Sequence, residues 1–538
     1  MKIELIDSSQ AAAIDKYTID KLKIPSLLLM EEAAKTAFNE LIKDFNNKAR
    51  FLIVCASGNN GADGLALARM LYLAGYKKLD LLLLGHNFTS QNKTQQEYLK
   101  AIGLSFYENV NEIEKLSKET KYDCIVDALF GVGLKRDIEG DYKKTIDLIN
   151  DLSKEKGSYI VALDLPSGLD ASTSKIYKTA VKANKTICFG YDKIGLYCGE
   201  GPLLAGEIIT TPIALNDTKT LREIASKQEN SEFKSFKTIG DIKAIKGNIL
   251  KDKDEESKEI VKCLDSRVKA GNKGSYGKAL IIAGSKDIGG AVILASKTAA
   301  RMGLGMVKCL THISNRDAVL NAIPECLIDC YDAQCSVSKL KEAVAFADVV
   351  VLGPGLSMND CASNICKNLL EIIDKPLIID ADALNIIARD KLFDRLKLAA
   401  DRLKGRLVIT PHLKEMERLT GIKLNKIKED PLNTAKDFSD KYHVICCLKD
   451  AKTVVSDGKK AYINQAGNDG MATAGSGDVL AGVLAGIFAY KFEDPLLAAI
   501  TAVNLHANAG DLAAKNLSKE MMLSGDIIRY IDEAMKER

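Results

Sequence analysis

The segment from Asn468 to Gly482 has the residue types of a phosphate-binding turn. It reads NDGMATAGSGDVLAG, so a glycine-rich turn runs directly into an apolar stretch with helical spacing. Backbone N–H groups in such a turn point at one spot, and the helix N-terminus adds positive partial charge there. Asp478 lies inside this cradle, where a carboxylate can take a proton from a hydroxyl that attacks a phosphoryl group. The alternative is a helix cap, with Asp478 bonded to first-turn amides.

Three polar turns in the first half of the chain each follow an apolar run. They read GNNGADG at 58–64, DALFGVGL at 127–134 and DLPSGLD at 164–170. Asparagine side chains offer N–H donors and carbonyl oxygens, so the first turn can hold a phosphate and a monovalent cation together. An ordinary polar turn capped by Asp63 is the alternative. None of these turns is the GxGxxG fingerprint, which argues against a dinucleotide oxidoreductase.

The elements that must position these turns follow an α/β pattern. Five continuous apolar runs alternate with helical segments, at 50–58, 79–85, 122–131, 159–168 and 185–190. Such runs are typical of a parallel sheet buried on both faces, as in a three-layer Rossmann-like domain. Ligands of these sheets bind beyond the carboxyl ends of the strands. Because the polar turns follow those ends, we expect them to line one site.

A second α/β series begins at Lys278, after a charged stretch that includes SKQENSEFKSFK (226–237). A chain of 538 residues exceeds the size at which one hydrophobic core keeps growing, so two domains are expected. The sequence predicts a first domain at 1–220, a polar linker and domain edge at 221–262, and a second domain at 263–538.

Composition and charge favour a soluble enzyme. The 75 basic and 72 acidic residues give a net charge of +3, so neither a nucleic-acid nor a membrane surface is indicated. The N-terminus lacks the apolar core of a signal peptide, and no apolar run approaches the ~18 residues of a membrane span, so a cytoplasmic location is predicted. The thirteen cysteines form no CxxC pair, which favours reduced thiols. Cys326, Cys330 and Cys335 have no neighbouring histidine to complete a zinc set.

Six motifs of the second half occur in the order of one known family. Besides GMATAGSGDVLAG they are KGSYG (273–277), GGA (289–291), VVVLGPGLS (349–357), LIIDADALN (377–385) and VITPHLKEMERLTG (408–421). The set resembles the ADP/ATP-dependent NAD(P)H-hydrate dehydratases, a branch of the ribokinase-like superfamily. A ribokinase-like α/β fold is therefore implied. Six ordered motifs are far more specific than any one of them alone.

This resemblance implies roles for individual residues. Asp478 corresponds to the residue that contacts the hydrate and acts as catalytic base, and Gly477 corresponds to a nucleotide contact. The other hydrate contacts correspond to Ala291, Gly355 and His412. The adenine-nucleotide loop corresponds to Lys449, Asp450, Ala451, Lys452 and Thr453.

Two positions depart from the family pattern. Asp450 replaces a glycine and adds negative charge near phosphates, which is expected to alter nucleotide affinity or the preference between ADP and ATP. Asn272 stands where a histidine often precedes the KGxxG motif. His412, beside Pro411 at a predicted strand end, has a purely structural role as its alternative.

The first half resembles the NAD(P)H-hydrate epimerases over about residues 5–215, through the three polar turns and SLLLMEEAA (26–34). The resemblance implies potassium ligands at Asn60, Asp127 and Ser167. It implies hydrate-binding positions at Asn59, Asn60, Gly61, Ala62, Asp63, Gly131, Val132, Gly133, Leu134, Lys135, Arg136, Asp137 and Asp164. Asp164 is the main acid/base candidate and Lys193 is a second one. Ala62 replaces a family glycine; alanine disfavours positive φ and adds a methyl group on the ligand side, which the turn is expected to tolerate.

Together the resemblances imply one chain that is both an isomerase and a lyase and that repairs hydrated NADH and NADPH. The first domain would interconvert the R and S epimers at C6 and use K⁺. The second would dehydrate the S epimer at the expense of ADP or ATP with Mg²⁺, through a phosphorylated intermediate. The implied partners are the hydrate and an adenine nucleotide, and helices that cover the sheets favour a homo-oligomer.

Two alternatives stay open on the sequence alone. A small-molecule kinase of the ribokinase class would share the GSGD motif and the nucleotide loop. The first domain could also be a non-catalytic binding module, although Asn60, Asp127, Asp164 and Ser167 all stand at their motif positions.

Overall fold

The computed structural model describes residues 1–213, 218–226, 234–265, 270–490 and 492–537. The chain forms two compact units, one of residues 4–242 and one of residues 243–538 together with residues 1–3. Both are α/β units built mainly on parallel strands, which confirms the predicted fold class. Residues 227–233 of the predicted linker lie outside the described residues. In the part of the chain that the structure describes, no helix is long and apolar enough to cross a membrane.

The strands of the first unit are β1 (Lys2–Ile6), β2 (Phe51–Cys55), β3 (Leu79–Leu83), β4 (Cys124–Ala128), β5 (Tyr159–Leu163), β6 (Lys185–Phe189), β7 (Asp192–Lys193) and β8 (Glu207–Thr211). Its helices are α1 (Ser8–Asp20), α2 (Ser26–Asp44), α3 (Asn59–Leu73), α4 (Ser90–Ala101), α5 (Val110–Glu119), α6 (Gly140–Lys156), α7 (Gly201–Ala205) and α8 (Thr218–Ser226). Six strands form a sheet in the order β3-β2-β4-β5-β6-β8, and every neighbouring pair is parallel. The short strands β1 and β7 pair in parallel with each other.

Two apolar layers cover this sheet, because successive side chains of a strand point to opposite faces. Ile53 and its neighbours on one face pack with helices α2 and α3. Val54 and Ile125 point to the other face and pack with α5 and α6. Every residue of β2 and β4 is buried. Burial on both faces explains why these strands read as continuous apolar runs.

The strands of the second unit are β9 (Ile242–Ile245), β10 (Lys278–Ile282), β11 (Met306–His312), β12 (Leu327–Tyr331), β13 (Val349–Leu352), β14 (Leu377–Ile379), β15 (Leu407–Ile409), β16 (Ile445–Leu448), β17 (Val454–Ser456) and β18 (Ala461–Asn464). Its helices are α9 (Glu255–Leu264), α10 (Gly289–Arg301), α11 (Arg316–Ala322), α12 (Val337–Phe346), α13 (Asp360–Ile372), α14 (Asp382–Arg389), α15 (Phe393–Leu403), α16 (Leu413–Thr420), α17 (Leu424–Glu429), α18 (Pro431–Tyr442), α19 (Ser476–Ala489), α20 (Pro495–Leu517) and α21 (Ser524–Lys536). The strands run in the order β12-β11-β10-β13-β14-β15-β16-β17-β18-β9. Pairs from β12 to β16 are parallel, whereas β17 is antiparallel to both neighbours.

Helix α19 is buried along nearly its whole length because it packs between α10 and α20. Its glycines permit this close approach. A Cβ atom on Gly482 would lie 2.5 Å from the carbonyl oxygen of Ala295, and one on Gly486 would lie 2.2 Å from Cβ of Met302. These contacts fix the middle of α19 against α10.

Candidate active sites

A cavity of about 800 Å³ lies at the carboxyl ends of the strands in the first unit. Eleven of the residues predicted for this site line it: Asn59, Asn60, Asp63, Gly131, Val132, Gly133, Leu134, Lys135, Arg136, Asp164 and Lys193. Gly61, Ala62 and Asp137 are not among its lining residues, and Asp127 and Ser167 are fully buried. The tertiary structure thus brings the three polar turns to one cavity.

The first polar turn is the first turn of helix α3, which begins at Asn59 with Gly58 as its N-cap residue. No side chain makes a capping hydrogen bond there, so Asp63 is not the cap. A Cβ atom on Gly61 would lie 1.8 Å from the carbonyl oxygen of Ala56, which explains the glycine. Ala62 is fully buried and its φ is negative. The objection to alanine at a positive φ therefore does not apply to it.

Asp164 and Lys193 form a buried ion pair at the cavity wall. Lys193 Nζ donates to Asp164 Oδ1, and it also donates to the carbonyl oxygen of Phe189 at 2.7 Å. The two side chains are 14% and 3% exposed. Burial is the largest single effect and lowers the pKa of Lys193, but the charges of Asp164 and Cys188 and the hydrogen bonds to both side chains together raise that pKa well above its ordinary value. Asp164 has a φ of +65°, a conformation that non-glycine residues rarely adopt and that often occurs at functional sites.

Asp127, Ser167 and Asn60 fit a potassium ion. Ser167 donates from Oγ to Asp127 Oδ1 at 2.6 Å and from its backbone nitrogen to Oδ2 at 2.8 Å. Burial raises the pKa of Asp127 to about 6 against the lowering effect of these hydrogen bonds. Both polar side-chain atoms of Asn60 are buried without a hydrogen-bond partner. Carboxylate, hydroxyl and amide oxygens are the ligands that hard cations prefer. The buried amide oxygen of Asn60 lacks a partner within the protein, and a bound cation would supply one.

Asp15 on α1 also lines the cavity, where it is exposed to solvent although protein surrounds it, and the sequence did not indicate it. Burial raises its pKa to about 6; the charge of Asp164 adds to this and that of Lys193 opposes it. Burial raises the pKa of Asp63 well above its ordinary value, with Asp164 and Asp15 adding to the effect. No local motif marks Asp15, because it stands within a helix far along the chain from the polar turns.

In the second unit, Asp478 lies in the first turn of α19. The N-cap residue is Gly475, whose φ of +88° favours glycine, and no side chain makes a capping hydrogen bond. The cap alternative for Asp478 is therefore wrong. Burial is the main cause that raises the pKa of Asp478 to about 7. The negative charges of Asp380 and Asp382 also raise this pKa, and the positive charge of Lys449 lowers it. A carboxyl group with this pKa is suited to accept a proton near neutral pH.

Asp380 directly follows β14 and binds two side chains from neighbouring strand ends. Its Oδ1 accepts from Lys449 Nζ at 2.8 Å and from Thr410 Oγ1 at 2.6 Å. A Cβ atom on Gly477 would lie 3.4 Å from Lys449 Nζ and 3.6 Å from Asp380 Oδ2, so the glycine-rich turn adjoins this pair. The LIIDADALN motif contains Asp380 and Asp382, but the motif alone did not indicate their proximity to Asp478.

His412 is the N-cap residue of α16. Its Nδ1 accepts from the backbone nitrogens of Lys414 at 3.1 Å and Glu415 at 3.2 Å, so the proton of the neutral ring is on Nε2. Burial and the charge of Lys449 lower the pKa of His412. Burial raises the pKa of Glu415 to about 7. The structural role anticipated for His412 is real, and 47% of its side chain remains exposed to meet a ligand.

Ala291 and Gly355 lie against each other across the turn that follows β13. Gly355 has a φ of +59°, and a Cβ atom there would lie 2.7 Å from Cγ2 of Ile288 and 2.9 Å from Cβ of Ala291. Gly353, with a φ of +123°, would place a Cβ atom 2.0 Å from the carbonyl oxygen of Asp380. These close approaches draw the β13 and β14 loops together.

The five residues predicted for the nucleotide loop point in different directions. Lys449 turns inward to Asp380, whereas Asp450 and Ala451 are exposed. Lys452 Nζ donates to the carbonyl oxygen of Gln465 at 2.7 Å, and Thr453 accepts from the backbone nitrogen of Asn464 at 2.9 Å. The backbone nitrogen of Lys449 donates to the carbonyl oxygen of Pro411 at 2.8 Å, which joins this loop to the one that carries His412.

Comparison with known proteins covers both units. A family model described as NAD(P)H-hydrate dehydratase matches residues 279–533, and one described as YjeF-related protein N-terminus matches residues 26–195. The bifunctional NAD(P)H-hydrate repair enzyme Nnr of Moorella thermoacetica is 31% identical over 549 aligned positions, which cover 99% of this chain and 96% of that protein. The chain belongs to the bifunctional NAD(P)H-hydrate repair enzymes.

Other members of this repair-enzyme family match equally far along the chain. The Nnr protein of Coxiella burnetii is 32% identical over 528 aligned positions, which cover 98% of each chain. Among solved structures, the ADP/ATP-dependent NAD(P)H-hydrate dehydratase of Bacillus subtilis, co-crystallised with ATP and Mg²⁺, is 25% identical with a TM-score of 0.44. The alignment covers 53% of this chain and 97% of the Bacillus subtilis protein. As a member of the family, the chain is a bifunctional epimerase and dehydratase, which confirms the function that the sequence predicted.

Proposed function

We propose that the second unit dehydrates the S epimer by phosphorylating its C6 hydroxyl group, with Asp478 as the base. The observation that carries this assignment is the placement of Asp478 in a glycine-rich helix N-terminus beside the Asp380–Lys449 pair. The N–H groups of the 474–478 turn are suited to stabilise charge on the transferred phosphoryl group. Burial of Asp478 favours its role as base because it raises the pKa to about 7.

The proposed reaction has two stages. The C6 oxygen attacks the terminal phosphoryl group of the nucleotide, its proton goes to Asp478, and the shortened nucleotide leaves. The phosphate then leaves C6, assisted by the lone pair of the ring nitrogen, and loss of a neighbouring proton restores the dihydropyridine. Mg²⁺ bound with the nucleotide would neutralise phosphate charge. Lys449 would hold Asp380, whereas the exposed Asp450 and Ala451 would face the nucleotide.

The first unit is proposed to interconvert the R and S epimers at C6. The Asp164–Lys193 pair supports this role because it presents a carboxylate and an ammonium group at the wall of the 800 Å³ cavity. Asn60, Asp127 and Ser167 would hold K⁺, which would supply positive charge beside the substrate. The remaining predicted hydrate contacts, apart from Gly61, Ala62 and Asp137, line the cavity in positions to contact the ligand.

Recovery of NADH from its hydrate tests both assignments together. Purified protein is given mixed epimers, ADP or ATP, Mg²⁺ and K⁺, and the dihydronicotinamide absorbance is followed. Fast and complete recovery that requires nucleotide is expected. Recovery that stalls and then proceeds at the spontaneous rate would contradict the epimerase assignment. Accumulation of a phosphorylated product without recovery would favour the small-molecule kinase instead.

The sequence also predicts where the protein is located and how it assembles. The predictions are a cytoplasmic location and assembly into a homo-oligomer. Light scattering on the purified protein measures its mass in solution, and a monomer mass would contradict the second prediction.

A further inference from the structure

Asp15 reaches the cavity of the first unit from an element that carries none of the polar turns. It lies on α1, between Ala11, Ile14 and Ile19, which line the same cavity. Among the described residues, its carboxylate has no hydrogen-bond or ion-pair partner. A carboxyl group that is accessible from a cavity and makes no bond to protein is free to bond to a ligand.

The charges around Asp15 do not balance if every carboxyl group ionises. Asp15, Asp63 and Asp164 interact with one another, and the buried ammonium group among them is Lys193, which is bonded to Asp164. Like charges that share one cavity disfavour one another's ionisation, so these carboxyl groups favour retaining a proton, although Asp15 itself is exposed to solvent. Lys135 and Arg136 also line the cavity, but their side chains are exposed to solvent and are screened. The cavity therefore offers a carboxyl group that is paired with a cation, that of Asp164, and one that is not, that of Asp15.

We propose that Asp15 is a second catalytic residue of epimerisation, the general acid that protonates the hydroxyl group leaving C6. This inference rests on the epimerase function proposed above. Exchange of the hydroxyl group between the two faces of one carbon needs proton transfer on both faces, and two carboxyl groups on different elements meet that need. Asp164, which is paired with Lys193, acts on the second face.

Epimerisation would take place in two steps, with no net change in atoms or charge. The ring-nitrogen lone pair forms a C6=N double bond while the C6–O bond breaks, and the proton of Asp15 makes the leaving group water. A water oxygen then adds to the opposite face of C6, the electron pair returns to nitrogen, and Asp164 takes the released proton. Exchange with solvent restores the protonation of both carboxyl groups. The raised pKa of Asp15, about 6, suits a group that donates and regains a proton near neutral pH.

The test measures conversion of the purified R epimer to the S epimer by the full-length chain, in K⁺ buffer without nucleotide. Asp15→Asn is expected to slow conversion by about 10²-fold or more, the usual contribution of a general acid. Asp15→Glu should restore part of the rate because it keeps the carboxyl group. The matched control is Asp20→Asn, at the exposed end of the same helix, which should leave the rate unchanged.

Two further measurements make each outcome decisive. The wild-type rate should fall as pH rises above about 6, because the acid form of Asp15 is lost, and this fall should be absent in Asp15→Asn. Dehydration of the pure S epimer, measured on the same samples, reports whether each variant has folded. If wild type converts the epimers and folded Asp15→Asn does so equally fast, the Asp15 assignment is wrong. If wild type itself gives no acceleration, the proposed epimerase function fails instead.

Discussion

Lys449 Nζ lies 2.8 Å from Oδ1 of Asp380, although the two residues follow strands β16 and β14, which β15 separates. This pair adjoins the glycine-rich turn and acts on Asp478 in opposite directions, since Asp380 raises the pKa of Asp478 and Lys449 lowers it. The protonation state of the proposed base therefore depends on residues about 30 and 100 positions away in the chain.

Asp478→Asn should remove dehydration and spare epimerisation. The amide cannot take the proton of the C6 hydroxyl group, so the rate should fall by about 10²- to 10⁴-fold. NADH recovery from the S epimer measures the loss, and conversion of the R epimer without nucleotide is the internal control. Retention of dehydration would remove Asp478 from the role of base.

The dehydration rate should rise with pH and level off above about pH 7, because the base must be deprotonated and burial raises the pKa of Asp478 to about 7. Asp382 contributes to this rise through its charge. Asp382→Asn should therefore move the rising limb to lower pH. Asp394→Asn, an exposed substitution in α15, is the matched control. A limb that stays in place in Asp382→Asn would contradict the electrostatic account.

Gly355→Ala should impair dehydration through geometry. The new Cβ atom would lie 2.7 Å from Ile288, and a φ of +59° costs a non-glycine residue about 1–2 kcal/mol. A higher KM for the S epimer is expected from displacement of the turn against Ala291. Gly525→Ala, where a Cβ atom meets nothing within 4 Å, is the control. Unchanged kinetics in Gly355→Ala would show that the turn has no part in binding.

Replacing K⁺ by Li⁺ should slow epimerisation and leave the chemistry of the second unit on the pure S epimer intact. Asn60→Ala should raise the K⁺ concentration that gives half-maximal rate by about tenfold or more, because loss of a contact around a bound metal usually lowers affinity by that much. The reason is that Asn60 supplies a buried amide oxygen without another partner. The K⁺ concentration for half-maximal rate is the measurement, and an unchanged value in the variant would exclude Asn60 as a ligand.

Lys193→Met should destabilise the first unit, because it leaves the carboxylate of Asp164 buried without its partner. Breaking one side of a buried ion pair costs about 3–5 kcal/mol. The double variant Asp164→Asn with Lys193→Met should recover much of that loss. Denaturant unfolding of the three proteins gives the free energies, and a double variant less stable than Lys193→Met would contradict the pairing.

Local patterns in the sequence were sufficient for the fold class and the family. Continuous apolar runs such as 122–131 predicted parallel strands, and the structure confirms this because β4 is buried on both faces. The motif around Asp478 and the polar turn at Asp127 identified the repair-enzyme family, which the comparisons confirm. Motifs of this kind are read along the chain, and ordered sets of them leave few alternatives.

The sequence by itself determined the two α/β units, the family and eleven of the residues that line the first cavity. Only the tertiary structure revealed Asp15 at that cavity, Asp380 near Asp478, Glu415 near the Asp380–Lys449 pair, and the inward turn of Lys449. Parallel strands bring the ends of distant segments together, so the electrostatic environment of a carboxyl group comes from residues that no local pattern links. Their charges and burial set the pKa, and these exist only once the chain has folded.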